Sequence, residues 1–272
     1  MVRRDLYSPI PEVPAKGWPG WTRRHPLPGL RLDPEAQLRL LADELGSYAA
    51  EFTAPRKADR PGDYYLDNGY YGGADAAVLH AMIRWTKPRR ILELGGGFST
   101  LVSAAACRAN GQEGHPVEML SVDPAPRVEM PEHLSGYVRQ ERADVHGLGL
   151  RPFLDLEAKD VLFIDTSHSV KLGSEVNFLF LEVFPLLRPG VLVHIHDVFL
   201  PYEYPRDWFL GGMHLNEQYL LHALLVESPH WEVLLALHAL KREHPARVGH
   251  SIDYLDDPGY GPAAMWLRRE GP

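Results

Sequence analysis

Four apolar runs, in a stretch where strands and helices alternate, constrain this chain more than any other feature. They are RRILEL (89–94), VEMLSVD (117–123), DVLFID (160–165) and GVLVHIHD (190–197). Continuous apolar strands of this kind are covered on both faces, and strands alternating with helices build a mostly parallel, doubly wound α/β sheet. YVRQERAD (137–144) is read as a further strand, and WEVLLAL (231–237) and AAMWLRR (263–269) as the last two.

The N-terminal segment breaks this rhythm. Pro9, Pro11, Pro14, Pro19, Pro26, Pro28 and Pro34 fall within 34 residues, which rules out helix and central strand. Trp18 and Trp21 in the same stretch predict an arm packed on its own domain or on a partner subunit, the second case giving a homodimer. Asp33-Pro34 reads as an N-cap and first helical position, opening a helix to about Phe52. A glycine- and tyrosine-rich loop (53–73) follows, and a second helix begins at Asp75. The division expected is therefore a proline-rich arm and helical lid over 1–74 and a ligand-binding domain over 75–272.

Charge and composition exclude several classes. A net charge of -8 argues against a nucleic-acid partner. No run of eighteen apolar residues exists, so no membrane span is expected. The first residues, MVRRDLYSPIPEVP, lack the apolar core of a secretory signal, and the cytoplasm is the expected location. The single cysteine, Cys107, has no internal partner and sits in an apolar helical stretch, where it reads as a small core residue.

In open α/β sheets ligands bind beyond the carboxyl ends of the strands, so those ends carry the functional signal. The first apolar run ends in Glu93-Leu94-Gly95-Gly96-Gly97-Phe98-Ser99. Glycines there let the backbone turn and approach a ligand, although an ordinary strand-to-helix turn uses them too. Thr100 stands where a dinucleotide-binding G-x-G-x-x-G would end in glycine. Glu93 would repel a pyrophosphate but suits a ligand with cationic and hydroxyl groups. Asp123, twenty-eight residues after Gly95, can accept both hydroxyls of a ribose or can cap the turn before Pro124. Asp144 closes the third strand, where it can meet an adenine amino group.

The E-x-G-x-G-x-S pattern (93–99), followed by a strand ending in Asp123, resembles the class I S-adenosylmethionine-dependent methyltransferases. The likeness runs in order and spacing over roughly 75–270, and within that class it points to bacterial small-molecule, natural-product O-methyltransferase-like enzymes. It implies a seven-stranded sheet closed by a reversed hairpin, with S-adenosylmethionine as cofactor. Glu93, Gly95, Gly97 and Ser99 would surround its methionine part, Asp123 its ribose and Asp144 its adenine. The family commonly has glycine where Ser99 stands.

The remaining strand ends, Asp165-Thr166-Ser167-His168 and His194-Ile195-His196-Asp197, belong to neighbouring strands in such a fold. Asp165, His168, His196 and Asp197 should therefore converge, as a general base near a carboxylate or as ligands of a divalent metal. D-x-x-H with an acidic pair after the next strand resembles metal-dependent O-methyltransferases of natural-product sugars and the catechol type. That likeness implies His168 as base and Asp165 and Asp197 as metal ligands. His196 replaces the first acid of the pair, so the metal set becomes Asp165, His196 and Asp197, which suits a softer ion than magnesium, or none. His168 and His196 are the catalytic candidates. His194, one step inside the strand, reads as a buried structural residue, and Asn216 and Glu217 as helix caps. The aromatic stretch around Tyr202, Tyr204, Trp208 and Phe209, with Gly211-Gly212, can close over a substrate or simply pack on the domain.

The function expected is methyl transfer to a hydroxyl, or an amine, of a small-molecule acceptor. The alternatives are a metal-dependent hydrolase using the Asp/His cluster and a non-catalytic cofactor-binding partner subunit. Use of the same cofactor for cyclisation is a further possibility that the residues leave open.

Overall fold

A computed structural model describes residues 10, 12, 17–60, 62–254 and 261–271. Seven strands form one sheet: β1 (Arg90–Leu94), β2 (Glu118–Val122), β3 (Arg139–Glu141), β4 (Val161–Ile164), β5 (Leu192–Ile195), β6 (Trp231–Ala236) and β7 (Met265–Arg269). Their order is β3-β2-β1-β4-β5-β7-β6, with β7 alone antiparallel to its neighbours. This is the doubly wound sheet with a reversed final hairpin. The runs buried along their whole length, β4 and β5, are central, as continuous apolar strands must be. β3 is the shortest strand because its sequence is polar and only one neighbour pairs with it.

The helices cover both faces. α1 (34–51) begins where Asp33 accepts the amide of Ala36, so the sequence-read N-cap and Pro34 stand where expected. α2 (Gly73–Thr86) is buried nearly all round, with α1 and α3 (Phe98–Gln112) packing against it. One core cluster takes Leu38, Leu41 and Leu45 of α1 together with α2, α3 and Cys107. The N-terminal helix thus shares the core of the domain. The other face is covered by α4 (175–186) and α5 (Glu217–Leu225) around Leu162, Ile164, Val193 and Phe184. Two helices that the apolar pattern did not mark, α6 (Leu237–Glu243) and α7 (Pro245–Ser251), lie between β6 and β7.

Of the proline-rich arm, Pro9, Pro11 and Pro14 lie outside the described residues. The part from 17 onward lies on its own domain. Trp21 meets Phe209 at 5.5 Å between ring centres, His25 donates its amide to the Pro201 carbonyl, and Leu27 is buried in the second core cluster. No helix among the described residues is long and apolar enough to cross a membrane.

Candidate active site

The strand ends are laced together past the last ladder bond of each strand. Gly95 donates its amide to Val122, Asp123 to Glu141, Asp165 to Leu94 and His196 to Ile164. This puts Gly95, Asp123, Asp165 and His196 side by side on the floor of a cleft of about 1280 Å³. The walls come from the Tyr70–Gly72 loop, the start of α3 and the aromatic stretch after β5.

At the glycine end the close approach is specific. Gly95 has φ +90°, and a Cβ there would lie 1.8 Å from the Asp165 carbonyl oxygen. The two adjacent strand ends therefore meet across Gly95 with no room for a side chain. Gly97 has extended backbone and open space where its Cβ would point, so this position leaves the cleft open. Asp123 Oδ2 accepts the Gly96 amide at 2.9 Å and Oδ1 the Ala125 amide at 2.6 Å, which fixes its carboxylate at the rim.

Glu93 lies beneath this loop and is fully buried. Ser99 and Thr100 donate their hydroxyls to its two oxygens at 2.9 and 2.6 Å, and the Thr100 oxygen accepts the Gly97 amide. Glu93 and Ser99 thus brace the glycine turn, and Thr100 is a strut of the same loop, a role that its mismatch to the dinucleotide pattern concealed. Burial pushes the Glu93 carboxyl up to about 7, against the pull of Ser121, Thr100 and Ser99. An acid whose folded pKa exceeds its unfolded value loses stability as pH rises between the two. From 4.5 to about 7 this amounts to about 3 kcal/mol at ~1.4 kcal/mol per pH unit. Thermal melts should therefore show stability falling from about pH 4.5 to 7, and Glu93→Gln should flatten that segment. A segment equally steep in the variant would show that another group produces it.

Asp144 is exposed. It accepts the His146 amide and ring Nδ1, both at 2.9 Å, as the cap of a short turn at the cleft edge. Burial is not what holds it, and the hydrogen bonds from His146 keep its carboxyl below the usual range.

At the other end, Asp165, His168, His196 and Asp197 do come together, with two further carboxylates. His168 Nε2 lies 3.0 Å from Asp165 and 3.5 Å from Asp197, while its Nδ1 lies 2.8 Å from Glu217 of α5. His196 Nδ1 lies 3.4 Å from Asp197 and 3.7 Å from Asp165, and its Nε2 lies 3.4 Å from Asp75 of α2. Asp75 also accepts the amides of Ala263 and Ala264, tying α2 to the chain before β7. The Tyr71 ring covers His196 at 4.8 Å. His168 and Asp197 have φ of +52° and +53°, a strained region for residues with side chains that recurs at functional sites. His194 is fully buried, stacked on Phe163 at 4.2 Å, and burial holds it neutral, in keeping with a structural role.

The charges interlock. Burial alone would lower the His168 pKa, but Asp165 and Glu217 outweigh it and hold the ring well above its ordinary value. Burial is likewise overcome at His196, which Asp197 and Asp165 raise to about 9. Burial opposes the charge of Asp165 too, yet His196 and His168 bring it down to about 2. Asp197 is pushed the opposite way by burial, which the two imidazoles only partly offset. Two carboxylates sharing one site separate in this manner.

Two observations bear on the expected roles of Asp165, His168, His196 and Asp197. The donor atoms that converge for a cation, all within 4.8 Å of one another, are those of Asp165, His168 and Asp197. His168 joins that set because the Asp165–His168 turn folds its ring back between the two aspartates, which His196 Nδ1 also approaches, at 3.7 and 3.4 Å. His168 is also not a free base here, since both ring nitrogens are held by carboxylates. Asp75 and Glu217 were read as helix openings. They are site residues, and no local motif marks them, because each meets its histidine across a long stretch of chain.

Residues 92–198 match a family described as methyltransferase domain. An uncharacterized protein of Archaeoglobus fulgidus is 36% identical over 77 residues, a match covering 28% of this chain and about a third (34%) of that protein's length. Among solved structures, CmcI with Mg and SAM is 19% identical, covering 81% of this chain and 90% of that one at a TM-score of 0.43. A putative methyltransferase of Thermobifida fusca is 13% identical and covers 94% of this chain and all of that one (100%) at 0.42. The O-methyltransferase of Bacillus cereus with SAH is 17% identical over 75% of this chain and 83% of that one, at 0.34.

Proposed function

We propose, for this chain whose residues 92–198 carry a methyltransferase domain, that it transfers the methyl group of S-adenosylmethionine to a hydroxyl of a small molecule. The carrying observation is one cleft that joins a braced glycine turn and the anchored carboxylate of Asp123 to the Asp165–His168–His196–Asp197 cluster. Gly95–Gly97 and Asp123 would hold the cofactor, with Asp144 at its adenine end. S-adenosylmethionine supplies a methyl group on a positively charged sulfur, which leaves as the neutral thioether.

The acceptor's proton goes to a carboxylate in this reading. Asp197, whose carboxyl lies above the ordinary range, takes it. Asp165 stays ionised, and the two imidazolium rings hold both aspartates in place. Four carboxylates, those of Asp75, Asp165, Asp197 and Glu217, face the two imidazole rings, so the cluster is rich in oxygen donors. With its Nε2 proton released, His168 would join Asp165 and Asp197 in a set that fits a divalent cation, and their mixed oxygen and nitrogen donors suit a borderline ion better than magnesium. Such an ion would lower the pKa of the acceptor hydroxyl. Positioning of the two reactants is the other contribution, on the order of 7–11 kcal/mol where geometry is favourable.

Calorimetric titration with S-adenosylhomocysteine, before and after chelator treatment, tests the cofactor and the cation together. Binding is expected, and a chelator effect would bring the cation into the site. The absence of binding in both conditions would overturn the reading in favour of hydrolysis at the Asp/His cluster. With a panel of hydroxyl acceptors, Asp197→Asn should reduce transfer by about 100-fold or more, the usual contribution of a positioned base. S-adenosylhomocysteine affinity should hardly change. Equal losses of both would remove Asp197 from the proton-transfer role.

A further inference from the structure

We propose that Glu217 is a positioning residue, deepening the reading above: it holds the Nδ1–H of His168 so that Nε2 faces Asp165 and Asp197. Glu217 opens α5, far in sequence from the strand-four turn that carries His168, and its side chain is buried, with 1% exposed. Its Oε2 lies 2.8 Å from His168 Nδ1. The main chains meet at the same place. The amides of Asn216 and Glu217 both donate to the His168 carbonyl, at 3.0 and 3.2 Å. Asn216 brackets the next turn through Val170. The left-handed backbone of His168 is thus locked from one side by α5 and from the other by the aspartates.

The energetics argue for function over stability. The second carboxylate oxygen of Glu217, Oε1, is buried without a hydrogen-bond partner. A buried unsatisfied oxygen is destabilising, and an apolar side chain of similar volume would avoid that cost. What an apolar residue could not do is select one orientation of the imidazole. A carboxylate on the outer nitrogen leaves only the other nitrogen for the cleft, the arrangement by which histidines in reactive sites are oriented. Asp75 stands behind His196 in a similar way, but it also holds two main-chain amides, so its removal would disturb the fold. Glu217 isolates the effect.

The test is proton NMR of the full chain labelled with ¹⁵N-histidine. The wild type should show a downfield, slowly exchanging Nδ1–H proton, identified by its absence in His168→Asn. Glu217→Ala should lose it. Glu217→Gln should keep it at a shifted position, because an amide oxygen still accepts but carries no charge. A merely space-filling Glu217 would lower the melting temperature of the variants and leave that proton where it is in the wild type, and this outcome would overturn the proposal. If Glu217→Ala fails to fold, an unshifted resonance in Glu217→Gln overturns it equally. S-adenosylhomocysteine titration of the same samples separates the two readings: a wild type that binds none fails the cofactor assignment, while the histidine proton still decides the role of Glu217.

Discussion

Replacing Asp123 with alanine should weaken S-adenosylhomocysteine binding by about 100-fold or more, if the carboxylate accepts both ribose hydroxyls. Hydrogen bonds to a charged group contribute about 1.5–3 kcal/mol each, and about 1.4 kcal/mol is tenfold in affinity. Each Asp123 oxygen already accepts one main-chain amide, from Gly96 or Ala125, and a carboxylate has lone pairs for a second bond on each. The carboxylate is therefore pre-aimed and needs no reorganisation. Asp144→Ala is the contrast. That side chain is exposed and satisfied by its own neighbour His146, so its loss should cost less than tenfold. Calorimetry on the three proteins decides: equal affinities for Asp123→Ala and the wild type would place the ribose elsewhere.

Gly95→Ala should be the most damaging single-methyl change in the cleft. The new Cβ would lie 1.8 Å from the Asp165 carbonyl oxygen, which belongs to main chain pinned by its bond to Leu94. Overpacking of this kind costs about 1–3 kcal/mol, and the left-handed backbone adds roughly 1–2 kcal/mol for a residue with a side chain. The melting temperature should fall by about 10 °C, at roughly 2–4 °C per kcal/mol for a chain of this size. Gly97→Ala should leave the melting temperature nearly unchanged, since its backbone is extended and the space beside it is open. Equal melting temperatures for the two variants would show that β1 and β4 do not meet as described.

This pair illustrates how far the sequence could be read. Gly95, Gly96 and Gly97 look alike in the chain, and the turn they build was legible from their place after an apolar run. Which glycine the fold cannot replace depends on where β4 ends, seventy residues later. Glu93 and Ser99 were likewise marked by position, but their bond to each other, with Thr100, follows from the turn folding back over the strand. At the reactive end, the convergence of Asp165, His168, His196 and Asp197 followed from adjacent strands alone. The role of each did not, because Glu217 and Asp75 enter from helices on opposite faces and contact the two rings on the side away from the aspartate pair.

The linear pattern determined what periodicity and strand ends can encode: an alternating α/β sheet and the residues that line one edge of it, the reversed last hairpin being implied only by the family resemblance. Each of those rests on local rules, the burial of apolar runs and the turn chemistry at their ends. The tertiary structure alone decided which nitrogen of each histidine faces the cleft, which aspartate is held ionised and which is pushed toward its proton, and which glycine is irreplaceable. Those properties depend on contacts between segments tens of residues apart and on burial that no single segment possesses, so they appear only when the helices close over the strand ends.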